Sequence, residues 1–227
     1  MSPARQRWPE SVLMLVTDRK RCGERSLPEV VEAAIEGGVN VVQLRERDLP
    51  AGELLKLARQ LRGVCGTRAL LLINDRVDVA ILSGADGVHL GENGLPVAAV
   101  RQMLPPSMLV GRSAHSKNSA RQADLDGADY LVVGTIFPSP SHPDAEPAGE
   151  ELLRDVSTRT QVPVIAIGGV TAENAASCFA AGASGIAVVS AILGSDDPRA
   201  AAQRLAPTLP ETAPEPAASP TEEEELG

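Results

Sequence analysis

The chain has 227 residues, 43% hydrophobic and only 2% aromatic, with a formal net charge of −9; Glu211, Glu215 and Glu222 to Glu225 supply six of the negative charges near the end, leaving −3 for the rest. With no Lys/Arg stripe and too few rings to stack bases, nucleic-acid binding is disfavoured, and no apolar run is long enough to span a bilayer. Cys22, Cys65 and Cys178 are scattered and never in Cys-x-x-Cys spacing, which argues against a disulfide framework or a zinc site and for a reducing cytoplasm.

Residues 1–10 carry Arg5, Arg7, Trp8 and two prolines without an apolar run, so they are expected to be a flexible N-terminus and neither a signal peptide nor an anchor. Val12 to Val16 is the first expected strand, and Pro28 to Glu36 reads as a helix. A phrase then recurs: Gly37-Gly38-Val39-Asn40-Val41-Val42, Gly84-Ala85-Asp86-Gly87-Val88, Gly127-Ala128-Asp129-Tyr130-Leu131 and Gly182-Ala183-Ser184-Gly185-Ile186 each follow a helical stretch. Each marks a helix-to-strand turn, where a glycine can take the left-handed conformation that closes a helix and the short apolar run after it suits a buried parallel strand.

Between these lie a helix over Gly52 to Leu61, strands over Ala69 to Ile73, Met108 to Val110 and Val162 to Ile167, and a helix over Thr171 to Ala180 capped by its threonine, with Glu173 in the first turn. Eight strands alternating with helices fit one core of this size. Polar clusters after nearly every strand favour a single (β/α)8 TIM barrel over residues 11–206 rather than an open doubly wound sheet. From Pro207 to Gly227 the Pro-, Ala-, Thr-, Ser- and Glu-rich composition predicts a disordered acidic tail.

The chemistry-bearing residues stand where such a barrel keeps its site, at the C-terminal ends of the strands. Gly168-Gly169, with the run into Val189-Ser190, would let backbone amides approach phosphate oxygens at a helix N-terminus; the alternative is a plain glycine turn. Arg45 and Arg47, two apart, can point to one side with Glu46 facing away, a pair suited to a diphosphate or, equally, to a surface Arg-Glu-Arg cluster. Asp75 is a hard oxygen ligand for Mg²⁺ or a helix cap, Asn74 could orient a heterocycle, and Glu92 is a second ligand or simply exposed. His115, next to Ser113, is the better placed of the three histidines for acid-base work; His89 reads as a satisfied core residue and His142 as a ligand contact from a Pro/Ser-rich loop.

The phrases Val42-Gln43-Leu44-Arg45-Glu46, Ile73-Asn74-Asp75-Arg76-Val77-Asp78, Gly84 to Gly91, Phe137-Pro138-Ser139-Pro140 and Ala166-Ile167-Gly168-Gly169-Val170 together resemble the thiamine phosphate synthase family, which includes thiazole tautomerases. The resemblance covers roughly Leu13 to Leu205. It implies a transferase that joins a pyrimidine methyl diphosphate to a thiazole phosphate with Mg²⁺, acting on small phosphorylated substrates and compatible with a homo-oligomer. It places Gln43, Arg45, Arg47, Asn74, Ser113 and His142 on the pyrimidine diphosphate, Asp75 on the metal, and Ser139, Ser141, Gly168 and Val189-Ser190, with Gly169 beside them, on the thiazole phosphate. Arg45, Ser113 and His115 are the candidate catalytic groups.

Three positions depart from the synthase pattern: Arg47 and His142 stand where lysines are usual, and Gly94 where a second Mg²⁺-binding aspartate is. Gly111-Arg112-Ser113 with His115 resembles the tautomerase branch, which aromatises a thiazole carboxylate phosphate and would use His115 for proton transfer. The retained Gln43, Asn74 and Asp75 favour the synthase, ahead of the tautomerase and of a non-catalytic thiazole phosphate binding protein.

Overall fold

A computed structural model describes residues 5–139 and 146–206. Eight parallel strands close into a barrel, each paired with its sequence neighbours and the first with the last. They are β1 (Val12–Val16), β2 (Val41–Leu44), β3 (Leu70–Asn74), β4 (Gly87–Leu90), β5 (Leu109–Ala114), β6 (Tyr130–Val133), β7 (Val164–Ile167) and β8 (Gly185–Val188). Around them run α1 (Leu27–Glu36), α2 (Ala51–Cys65), α3 (Val77–Ser83), α4 (Val97–Met103), α5 (Lys117–Leu125), α6 (Gly149–Ser157), α7 (Ala175–Ala180), α8 (Ser190–Leu193) and α9 (Pro198–Leu205). Among the described residues no helix is long and apolar enough to cross a membrane.

The period of two along each strand sorts the apolar residues into two cores. On β1, Val12, Met14 and Val16 point into the barrel with Leu72, Leu109, Val132 and Ile165, while Leu13 and Leu15 point outward into the larger layer beneath the helices. That outer layer orients the helices; α1 turns Val30, Val31, Ala34 and Ile35 inward and begins at a capping box between Ser26 and Glu29.

The recurring glycine phrase has a structural reason beyond the turn. Its third or fourth residue reaches sideways to the preceding strand: Asn40 Oδ1 accepts from the Leu13 N–H at 3.0 Å, Asp86 Oδ2 from Leu71 N–H at 2.8 Å, and Asp129 Oδ2 from Val110 N–H at 2.9 Å. A buried strand-end amide is thereby satisfied at each of three places around the barrel floor. Arg62 and Arg101 pair with Asp86 and Asp129.

The N-terminal segment is not flexible throughout, as its composition suggested. Arg5–Arg7 form a single helical turn, Trp8 is 9% exposed, and its ring stacks on Tyr130 at the barrel floor, centroids 4.2 Å apart. Burying so large an apolar ring orders the segment, and Arg7 ties it further to Asp86 at 2.9 Å. Residues 1–4 and the tail 207–227 lie outside the described residues.

Candidate active site

A cavity of about 900 Å³ opens at the C-terminal ends of the strands, and the site residues expected from the sequence that fall inside the described region line it. Ser141 and His142 lie outside the described residues; Ser139 is within them and lines the cavity.

One half is built from side chains. Gln43 lies inside β2 and is 3% exposed. Beyond the strand end, Thr17 Oγ1 accepts from Arg45 N–H at 2.9 Å and donates to Glu46 Oε1 at 2.8 Å, so Glu46 is buried against the first loop, where Arg19 also holds it at 2.9 Å. Glu46 is therefore not the centre of an Arg-Glu-Arg surface cluster. Among the described residues neither Arg45 nor Arg47 has an ion-pair or hydrogen-bond partner for its guanidinium, and both line the cavity. Burial and the adjacent Arg47 pull the Arg45 pKa down, opposed by Asp18, Asp75 and Glu46; a guanidinium remains charged under these pressures.

Asp75 follows β3 with φ of 57°, a left-handed conformation unusual for a residue with a Cβ. Its Oδ1 accepts from Gly91 N–H and its Oδ2 from Asn74 Nδ2, both at 2.8 Å. The following helix has Arg76 at its N-cap and no side-chain cap bond, so Asp75 is not a helix cap. A Cβ at Gly94 would lie 2.8 Å from Asp75 Oδ1; the missing side chain there leaves room for the carboxylate in its present pose. A Cβ at Gly91 would lie 3.5 Å from both Asp75 oxygens and 3.8 Å from Arg47 Nη2, so carboxylate and guanidinium both border the space beside Gly91 without forming an ion pair among the described residues.

Glu92 does not join Asp75. Its carboxylate takes His115 Nδ1 at 2.5 Å and the His115 N–H at 3.3 Å, while Arg112 donates to the carbonyls of Glu92 at 2.6 Å and Leu95 at 2.7 Å. Burial raises the Glu92 pKa, but hydrogen bonds from Ser119 and His115 outweigh it and hold the carboxyl below its ordinary value. Among the described residues no three His, Cys, Asp or Glu side chains form a metal-binding group.

Ser113 lies inside β5, not beyond it, because that strand runs to Ala114. Its Oγ is 2.9 Å from His89 Nε2, and His89 Nδ1 is 3.0 Å from the Tyr130 hydroxyl. Burial pushes the His89 pKa down to about 3, so the ring is neutral. His89 is satisfied on both nitrogens, as a core histidine should be, and it also lines the cavity.

The other half is built from backbone. Gly168 and Gly169 have φ of 97° and 64°, and a Cβ on either would come within 2.5 Å of the loop after β6, at Thr135 Cγ2 and Pro138 O respectively. That loop is stitched to the strand end by Ile136 N–H to Ile167 O and Phe137 N–H to Gly168 O, both 3.0 Å. The N–H groups of Gly168, Gly169, Val189 and Ser190 find no acceptor among the described residues. The helix expected from Thr171 starts instead at Ala175: Asn174 accepts from Thr171 N–H at 2.8 Å and donates to Gly169 O at 2.9 Å, holding the intervening residues as a turn. Threonine therefore does not cap it, and Glu173 lies outside it.

Asp18, Arg21 and Thr135 also line the cavity. The sequence reading passed over them, although Asp18 to Arg21 is a polar cluster directly after the first strand.

Residues 13–192 match the profile described as thiamine monophosphate synthase. The chain belongs to that family. Curated relatives include a "Putative thiamine-phosphate synthase" of Geobacter sulfurreducens, 46% identical over 87% of this chain and 94% of that protein, and a "Thiamine-phosphate synthase" of Roseiflexus castenholzii, 44% identical over 86% of each. Among solved structures, "Thiamine phosphate pyrophosphorylase" from Pyrococcus furiosus superposes with a TM-score of 0.80 at 36% identity, covering 88% of this chain and 95% of that one. A 3-hexulose-6-phosphate synthase, 19% identical with a TM-score of 0.68, shares the barrel alone.

Proposed function

We propose that this member of a thiamine-biosynthetic transferase family condenses a pyrimidine methyl diphosphate with thiazole phosphate, releasing diphosphate and forming thiamine phosphate. One observation carries the reading: on one side of a cavity stand the Asp75 carboxylate and two arginines, on the other four backbone N–H groups, and neither the arginines nor these N–H groups have a partner among the described residues. Two anionic substrates fit such a divided site.

Arg45 and Arg47 would hold the diphosphate bidentately, fixed in place by Thr17 beneath Arg45. The bond between the pyrimidine methylene carbon and the diphosphate oxygen breaks, and its electron pair leaves with the oxygen. The arginines then face the growing negative charge, an arrangement set before the reaction begins. Gln43 and Asn74, projecting from the strand ends, would orient the pyrimidine. The amides of Gly168, Gly169, Val189 and Ser190 would hold the thiazole phosphate so that the ring nitrogen's lone pair meets the electron-deficient carbon and forms the new C–N bond.

The residues fit a Mg²⁺ ion held by one protein carboxylate, Asp75, since this ion needs only one or two carboxylates and otherwise takes water and substrate phosphate. When bound, it would neutralise charge on the departing diphosphate. The three cysteines are buried free thiols, which suits the reducing cytoplasm in which we place the reaction.

The test is mass-spectrometric detection of thiamine phosphate from purified protein given both substrates, with and without Mg²⁺. Mg²⁺-dependent product is expected; its absence from folded protein would overturn the reading. One observation favours the tautomerase as second reading. His115 Nδ1 is held by Glu92 at 2.5 Å, a carboxylate-imidazole pair able to move a proton at Nε2. Conversion of the thiazole carboxylate phosphate tautomer, lost in His115→Ala, would establish it.

A further inference from the structure

Beneath Ser113 lies a buried polar chain that neither the arginines nor the glycine cradle use. It runs from Ser113 Oγ to His89 Nε2 at 2.9 Å and from His89 Nδ1 to the Tyr130 hydroxyl at 3.0 Å. Tyr130 is fully buried and His89 is 2% exposed. The chain exists because Gly111 lacks a side chain: a Cβ there would fall 1.9 Å from Tyr130 Cζ and 2.2 Å from its oxygen. From below, Trp8 stacks on the Tyr130 ring with an interplanar angle of 16° and keeps it in position.

The direction of the hydrogen bonds follows from counting donors. Among the described residues the Tyr130 hydroxyl has His89 as its one side-chain partner. If His89 carried its proton on Nδ1 and donated to Tyr130, the tyrosine O–H would be buried with no acceptor, at a cost comparable to a lost hydrogen bond. If Tyr130 donates to Nδ1, the proton of a neutral imidazole sits on Nε2 and is donated to Ser113 Oγ. Ser113 then has an occupied lone pair below and its own O–H turned to the cavity.

We propose that Tyr130 and His89 are positioning residues that fix Ser113 as a hydrogen-bond donor to an oxygen of the bound diphosphate. This rests on the synthase reading for the substrate's identity, though the chain itself would act on any anion held there.

A double-mutant cycle between Tyr130→Phe and Ser113→Ala tests it, with two readouts: the affinity for inorganic diphosphate with Mg²⁺ by calorimetry, and kcat for thiamine phosphate formation. Tyr130→Phe keeps the ring on Trp8, so folding is preserved; its melting curve and Trp8 fluorescence check this. In the Ser113 background the variant is expected to weaken diphosphate binding and lower kcat about tenfold, the scale of one buried hydrogen bond left unpaired. In the Ser113→Ala background it should change either readout by less than about twofold, since contributions made through a shared partner are not additive. His89→Gln, which can return an N–H near the Nε2 position, should retain more activity than His89→Ala.

Equal losses in both backgrounds would overturn the proposal and leave His89 and Tyr130 as parts of the core. Coupled losses in diphosphate binding without any thiamine phosphate from the unaltered protein would leave the relay standing and remove the synthase. Product formation with an additive cycle would do the reverse, and failure of the unaltered protein to bind diphosphate would remove both.

Discussion

The two halves of the barrel mouth are made of different materials for the one task we propose for both, holding a phosphorylated substrate. At β2 to β5 the work falls to side chains: Arg45 and Arg47 without partners among the described residues, Asp75 fixed by Gly91 and Asn74, and Ser113 seated on His89. At β7 and β8 it falls to backbone, with Gly168 and Gly169 folded against the preceding loop and amides that find no acceptor among the described residues. The difference teaches where each half is vulnerable. A side-chain site is broken by removing atoms, and a backbone site by adding them.

The largest expected effect breaks the first half. Arg45→Ala removes a preorganised cation facing developing charge, and kcat should fall by roughly 10²–10³, while the KM for thiazole phosphate stays within about twofold, as expected for distant independent sites. Steady-state kinetics with each substrate varied separately decide this; an equal rise in KM for thiazole phosphate would mean that the halves are not separate. Because Glu46 is engaged by Thr17 and Arg19, losing Arg45 leaves no buried carboxylate unpaired, and the folded stability should change little.

Gly168→Ala is the complementary lesion. The new methyl would stand 2.5 Å from Thr135 Cγ2 and 2.8 Å from Thr135 Cα, at a φ of 97° that a Cβ disfavours. Strain of this kind costs about 1–3 kcal/mol, and the displaced loop should raise the KM for thiazole phosphate without touching diphosphate affinity. Chemical denaturation alongside calorimetry with inorganic diphosphate separates the two effects. Unchanged thiazole phosphate binding would show that the open amides are not its cradle.

The same division governs what the sequence alone could reveal. The barrel was legible because the glycine phrases recur and the polar clusters follow strands; β1 falls at the expected residues, and β8 begins within the last glycine phrase. Gly168-Gly169 and the Arg45, Arg47 and Asp75 positions were readable for the same reason, since their place after a strand is a matter of spacing. What spacing cannot carry is a partner from another strand. Ser113 read as a loop residue because Gly111-Arg112-Ser113 breaks the apolar run, yet Gly111 is there to admit Tyr130, and the strand continues to Ala114. Glu92 read as a second metal ligand or simply exposed, and its place along the chain carried no sign that His115 and Ser119 hydrogen-bond to it. The helix expected from Thr171 was delayed to Ala175 by one asparagine side chain folding back on Gly169.

The smallest effect sharpens the comparison by adding to the side-chain half. Gly94→Asp would set a second carboxylate where a Cβ lies 2.8 Å from Asp75 Oδ1, and the glycine's φ is not left-handed, so the backbone tolerates the change. Asp75 must then swing into the cavity, and two carboxylates at one spot repel each other without a cation. The variant should melt at a lower temperature in chelator and recover when Mg²⁺ is added. Since affinity for this class of ion rises with the number of ligand charges, the Mg²⁺ concentration for half-maximal activity should fall about tenfold. The KM for thiazole phosphate should not move, because the atoms nearest a Cβ at residue 94 belong to Asp75 and Gly91, in the side-chain half. A Mg²⁺ requirement identical to that of the unaltered protein would mean that the ion is held by substrate and Arg-flanked oxygens alone, with Asp75 serving to fix Gly91 and Asn74 rather than to bind metal.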